Sequence, residues 1–357
     1  MKKLDWYILR QYLGTYIFVV LVFVTIICVI DFTEKNDDFM QENVPVTEVI
    51  FDYYANLYPY FINFLSPVMI FISTILVTSK MASHTEVIAI LSSGVSLLRF
   101  MWSFMMGAII VGAFTFLMLG WIIPKANAVR IQFELKYFEP PQNTRRDTHL
   151  QIAPNVFAYA SRYSTHVNSA HDFTLEKIVD KVLVEKLSAD HAIFDTTTSK
   201  WNIRKYTLRT YVDSVETLSV GRDMDTTLNL YPSDFTYEFK FYETLTLPEV
   251  DDYIEELKFR GLPGVEEYIR EKYERLTYPF AILVLTALGV LVSARKSRQG
   301  VGSQIVLGIV LALLYIMFLL LGRNFTQSDF MHPLFNAWLP NIVFSIVGVI
   351  LYRTLPK

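Results

Sequence analysis

Six apolar runs set the plan of this chain. They cover roughly 12–30, 60–78, 100–123, 276–293, 304–321 and 335–351, each close to the ~20 residues a helix needs to cross about 30 Å of hydrocarbon. Pro, Gly or charge marks their ends: Pro124 closes the third run and Pro279 falls in the first turn of the fourth. No small-residue cleavage site follows the first run, so it reads as a retained span and not a signal peptide. Between the third and fourth runs the pattern changes. NVFAYASRY (155–163), KVLVEKLSADHAIFD (181–195), KWNIRKYTLRTYV (200–212) and FTYEFKFY (235–242) are rich in β-branched and aromatic residues in partial alternation, the pattern of half-covered strands. With no helical period between them, about eight short antiparallel strands in a sandwich or jellyroll are predicted over 148–241. LPEVDDYIEELKFRG (247–261) then reads as a helix. Pro248 fits its first position, Glu249, Asp251 and Asp252 its first turn, Lys258 and Arg260 its last, and Gly261 its end, an order that complements the helix dipole.

The fold class that follows is an α-helical polytopic membrane protein with six transmembrane helices and an inserted antiparallel β-jellyroll domain. The expected domains are 1–124 (helices one to three), 125–247 (the β domain), 248–275 (connecting helices) and 276–357 (helices four to six).

Charge gives an orientation. Lys2, Lys3 and Arg10 precede the first run, Lys80 and Arg99 flank the second turn, Arg295, Lys296 and Arg298 follow the fourth run, and Arg353 and Lys357 follow the last. The loop after the first run instead carries Asp31, Glu34, Asp37, Asp38, Glu42, Glu48 and Asp52 against Lys35 alone. The positive-inside rule places both termini, the 79–100 stretch and the 295–303 loop in the cytoplasm, and the β domain outside. Six spans satisfy that parity.

The stretch SKMASHTEVIAILSSGVSLLRF (79–100) is too polar to span and too apolar for a plain loop. Ser83 and Glu86 have the spacing of a capping box. Val87, Ile88, Ile90, Leu91 and Val95 follow at near-helical spacing, and Ser92, Ser93 and Gly94 end the element. A short cytoplasmic helix over 83–95 is expected, with an apolar face that needs cover. Interfacial helices carry Lys and Arg on their polar face; this one has Glu86 and no base between Lys80 and Arg99. That favours a protein partner over the lipid surface.

Composition narrows the chemistry. The chain is 52% hydrophobic with a mean hydropathy of +0.32, above ordinary soluble domains. Its net charge of -3 gives no pull on nucleic acid. Cys28 is the lone cysteine, so no disulfide forms within the chain and no cysteine pair can hold a metal. The sequence has no Gly-x-x-x-x-Gly-Lys phosphate loop, no His-Glu-x-x-His and no Gly-x-Ser-x-Gly, so it has no recognisable way to hydrolyse ATP. Its histidines do not cluster at ligand spacing, and no metal site is expected. Charged groups are almost absent from the middles of the spans, where a proton-coupled carrier needs them.

Several motifs, in this order, resemble the LptF/LptG (YjgP/YjgQ) permease family of lipopolysaccharide export. LDWYILRQYLGTYIF opens the chain, HTEVIAILSSGVS resembles the family's coupling helix, WIIPKAN closes the third span, SARKSRQGVG follows the fourth, and NAWLPNIVF starts the last. The resemblance covers nearly the whole chain. It implies a permease subunit of an ABC transporter in the bacterial inner membrane, which extracts lipopolysaccharide and passes it through a periplasmic β-jellyroll to a bridge towards the outer membrane. The implied partners are a paralogous LptF/LptG-type permease, a cytoplasmic LptB-type ATPase dimer, and LptC/LptA-type jellyroll proteins. The chain itself would bind no cofactor; ATP and Mg would belong to the ATPase.

Carried onto this sequence, Ser83, Glu86, Val87, Ile90, Leu91 and Gly94 would couple to the ATPase. Gly14, Thr25, Cys28, Asp31 and Lys35 would line the lipid cavity and its gate, and Phe157 and Ala158 the jellyroll groove. The family often places lysines at the outer end of the first span; here that end, DFTEKNDDF, is mostly acidic. Three other readings are distinguishable: a mechanotransmission protein that moves an outside domain without carrying lipid, a secondary transporter, and a membrane enzyme using Asp251 and Asp252. Uncharged spans oppose the second, and the helix N-terminus already accounts for the acids of the third.

Overall fold

The computed structural model describes residues 3–138, 144–212, 215–236, 239–294, 301–327 and 332–354. The basic loop expected at Arg295, Lys296 and Arg298 lies outside them. The order is α1 (Lys3–Gln41), α2 (Val46–Ser83), α3 (Glu86–Ser92), α4 (Leu97–Tyr137), β1 (Arg146–Ala153), β2 (Val156–Ser164), β3 (Ser169–Val179), β4 (Val182–Asp195), β5 (Lys200–Val212), β6 (Val215–Thr226), α5 (Leu247–Arg260), α6 (Val265–Ser293), α7 (Val301–Gln327) and α8 (Pro333–Thr354). Among the described residues, six helices are long and apolar enough to cross a membrane: α1, α2, α4, α6, α7 and α8. The chain is thus a polytopic helical membrane protein with an inserted β domain, and it divides into two compact units, one of spans and one around the sheet.

In the unit of spans, Ile8, Tyr12, Tyr16, Val20 and Val24 form the inward stripe of α1. They meet Ile70, Phe71, Ile75 and Met81 of α2, Phe100 and Phe104 of α4, and Ile282, Leu285 and Leu288 of α6. The Tyr12 hydroxyl lies 2.9 Å from Thr286 Oγ1, and Tyr16 OH lies 2.5 Å from Ser66 Oγ. Gly107 of α4 makes room for Tyr12: a methyl there would sit 2.7 Å from the ring.

Two prolines behave differently from expectation. Pro124 closes the third apolar run but does not end its helix. α4 continues to Tyr137, because a wide turn over Met118–Ile122 directly precedes the proline, and the amide of Ile123 reaches back five residues to Met118. Such a turn shifts the helical hydrogen-bond ladder by one residue just ahead of the position that cannot donate. Pro279 lies well inside α6, which begins at Val265.

The inserted sheet has six antiparallel strands in the order β1-β2-β3-β4-β5-β6, each paired with its neighbour in sequence. They are longer and fewer than the eight expected. FTYEFKFY (235–242) is not a strand among the described residues: its ends form 3-10 turns, Pro232–Phe235 and Phe241–Glu243, and Phe235 stacks on Tyr163 at 5.0 Å. Trp201, fully buried, is the centre of the covered face; it stacks with Phe173 and donates its indole N–H to Leu230 O at 2.8 Å. Ile254 and Leu257 of α5 are also buried, and Arg260 near its end pairs with Asp234 at 2.7 Å.

Candidate functional site

α3 is the element between α2 and α4 that the sequence singles out, and it forms as a seven-residue helix. The expected capping box is absent. Ser83 is the last residue of α2, and its hydroxyl donates to Lys80 O at 2.8 Å. Thr85 is the N-cap, in the left-handed region at φ 65°, with no side-chain cap bond. Glu86 therefore does not reach back to Ser83; it opens the helix, where a carboxylate suits the free amides, and lies 3.8 Å from His84 Nδ1. Gly94 (φ +87°) closes the element, its amide donating to Leu91 O. The Ser96 hydroxyl then caps α4 by accepting the Arg99 amide.

The faces of α3 differ from the sequence assignment. Val87 is fully buried in the span core and Ile90 packs half-buried against it. These two hold the helix to its own chain. Ile88 (49% exposed) and Leu91 (36%) are the apolar side chains left uncovered, and Glu86 is half-exposed. Ile88 was missed as a surface residue. Seven residues, four of them Val, Ile or Leu, have no polar side that shows which way they face.

A second missed feature ties this end of the bundle together. Asp5 is almost fully buried; it accepts Arg99 Nη2 at 2.7 Å and the Ser103 hydroxyl at 2.9 Å. The start of α1 is thereby fastened to the start of α4. In sequence Asp5 looks like a stray acid among N-terminal bases.

α1 has a second, uncovered side. Ile17, Phe18, Leu21, Ile26 and Val29 are exposed, and nothing lies within 4 Å of a methyl built at Gly14. Gly14 and Thr25 sit on this side. Thr25 bonds its own helix at Leu21 O and meets Tyr58 OH at 3.0 Å. Cys28 is half-buried and packs against the core of its own chain.

Asp31 and Lys35 do not face that open side freely. They form an ion pair at 3.2 Å. The Tyr54 and Tyr53 hydroxyls donate to Asp31 at 3.0 and 3.3 Å, and Lys35 donates to Tyr53 and lies over its ring. Phe39 and Phe133 pack edge-on and tilted against the same tyrosine.

On the sheet, Phe157 and Ala158 face opposite ways, as adjacent strand residues must. Ala158 is on the covered face (1% exposed), with Leu150 and Leu175 as its register partners; Phe157 is 37% exposed. Among the described residues no group of three or more His, Cys, Asp or Glu side chains could hold a metal ion.

A family model described as lipopolysaccharide export system permease LptF/LptG matches residues 6–354. The chain belongs to the LptF/LptG family. No curated protein matches it. As an LptF/LptG permease it is a multi-pass membrane protein and a transport subunit of lipopolysaccharide export, a family that is not itself the ATPase.

Proposed function

We propose that this LptF/LptG chain takes lipopolysaccharide from the inner membrane using force from a separate ATPase that docks on α3. The observation that carries this reading is the split of α3: Val87 and Ile90 anchor it inward while Glu86, Ile88 and Leu91 stay open. A helix of seven residues is too short to be stable by itself, so its exposed apolar side chains are a surface held in place by the rest of the protein. On this reading α3 is cytoplasmic, the sheet is periplasmic, and a second LptF/LptG-type permease covers the open side of α1 to enclose a lipid cavity.

The energetics require a continuous apolar route. Each lipid CH₂ moved into water costs about 0.8 kcal/mol, so a multi-acyl lipid cannot pass through water. The uncovered α1 side and then the sheet domain, leading to LptC/LptA-type jellyroll proteins, supply surfaces in series. Phosphate recognition by Lys35 is not part of this proposal, because Asp31 and Tyr53 already hold its ammonium group.

The test is reconstitution of the chain with its permease partner and an LptB-type ATPase in vesicles containing lipopolysaccharide. A photocrosslinker on β2 should capture lipid only when ATP is hydrolysed. ATP hydrolysis with movement of the sheet but no lipid on it would favour mechanotransmission instead. For a gate lock, cysteines belong at exposed Thr25 or Val29, since Cys28 packs into its own chain.

A further inference from the structure

Two arginines with side chains 7% and 3% exposed meet where the chain leaves the spans for the insertion and where it returns. Arg130 of α4 donates to Glu134 at 3.0 Å and to Glu243 at 2.8 Å, with its guanidinium 5.0 Å from the centre of the Tyr60 ring of α2. Arg275 of α6 donates Nε to Glu271 at 2.8 Å and its two terminal nitrogens to the carbonyls of Leu245 (2.5 Å) and Tyr242 (2.9 Å). The Asn127 amide donates to Glu243 O at 3.4 Å. All of these groups lie in the unit of spans. Residues 242–245 are gripped by α4, which carries the chain out, and by α6, which carries it back.

Stability alone does not explain this arrangement. A buried ion pair is often no better than well-packed apolar side chains. What a planar guanidinium adds is direction, because its fork is satisfied only when both acceptors stand in place. We propose that Arg130 with Glu243, and Arg275, form a rigid joint that locks the outgoing and returning segments together, so that movement of the spans reaches the sheet instead of being absorbed in residues 242–246. They are positioning residues for transport. The inference rests on the export reading above.

The test uses the full transporter in vesicles, with three readouts: ATP hydrolysis, ATP-dependent capture of lipid by a photocrosslinker on β2, and thermal unfolding in detergent. The triple variant R130M/E134L/E243M replaces the ionic network with apolar side chains and removes its directionality. R275K keeps the charge but cannot hold both carbonyls. Both should hydrolyse ATP within about twofold of the parent and keep its thermal midpoint, yet lose lipid capture by about tenfold or more, the size of an ordinary coupling between sites. Parental capture in both variants would overturn the joint, and so would a loss that only tracks lost folding or lost hydrolysis. If the parent itself captures no lipid on ATP hydrolysis, the export reading fails first and the joint with it.

Discussion

Val87 and Ile88 are neighbours in α3 with opposite environments, and that contrast gives the sharpest test of how force enters. Val87 is fully buried and Ile88 is 49% exposed. Val87→Ala removes two methyl groups from the core. At about 0.8 kcal/mol per buried carbon plus a cavity contribution, it should cost about 2–3 kcal/mol of stability. Ile88→Ala removes atoms already half in water and should cost under about 1 kcal/mol. If Ile88 inserts into a groove of the ATPase, its loss should instead cost about 2 kcal/mol of binding, or roughly 30-fold in Kd. Thermal unfolding of the purified permease reads the first effect; a titration of the ATPase against permease in nanodiscs reads the second. Val87→Ala should lower the midpoint, whereas Ile88→Ala should leave it in place and weaken binding. The reasoning fails if Ile88→Ala binds as tightly as the parent, or if Val87→Ala weakens binding with no loss of stability.

Other expectations are equally concrete. Glu86→Ala should leave the protein folded in the membrane, since it makes no cap bond to Ser83, and should lower co-purification with the ATPase; normal recovery would limit Glu86 to a local role. Glu249 accepts the Thr246 amide at 2.8 Å, which holds its carboxyl below the usual glutamate range. Its contribution to the start of α5 is therefore present above about pH 4.3 and is lost as pH falls through the lower folded value; hydrogen-exchange protection of 247–251 should drop there in the parent but stay flat in Glu249→Gln. Trp201→Ala should cost the sheet about 3–5 kcal/mol and open 144–236 to protease while the spans stay resistant. A photocrosslinker at Ala158 should capture lipid in an ATP-dependent way and one at Phe157 should not, because only Ala158 lies on the covered face; equal labelling would argue against a lipid path along β2.

Hydropathy made the spans legible but not their true lengths. α1, α2 and α4 run 39, 38 and 41 residues, well beyond the apolar runs, because helical hydrogen bonding does not stop at the edge of an oily segment. Polar and aromatic residues such as Lys35, Tyr53, Phe133 and Glu134 continue the helices and pack on one another outside it. Capping shows a similar limit. Ser83 and Glu86 have capping-box spacing yet do not form one, because α2 runs on through Ser83 and Thr85 makes the turn. Thr246 and Glu249 have the same spacing and do bond, the carboxylate accepting the Thr246 amide. Spacing states which bonds are possible; the backbone on either side decides which are made. The partnerships of Asp5 with Arg99 and of Arg130 with Glu243 join residues 94 and 113 positions apart, beyond any local pattern.

Those long-range pairs bear on how a chain without its own ATPase motif can do work at a distance. α4 starts just after α3, and at about 1.5 Å per residue its 41 residues extend about 60 Å, twice the hydrocarbon thickness. Asp5, which also accepts the Ser103 hydroxyl, holds Arg99 near one end, and Glu243 holds Arg130 near the other. A force applied at α3 therefore enters a helix fastened at both ends, to α1 on one side and to the segment returning from the insertion on the other. The wide turn at Met118–Ile122, just ahead of Pro124, lies between the two fastenings. Such turns are where long helices bend, so bending of α4 should concentrate there, while the stretches on either side move as rigid pieces. An ordinary coil between α3 and the insertion would dissipate the same displacement in its own backbone rotations. If force enters at α3 as proposed, the long helix and its two arginine contacts would let a seven-residue helix at one end matter at the other.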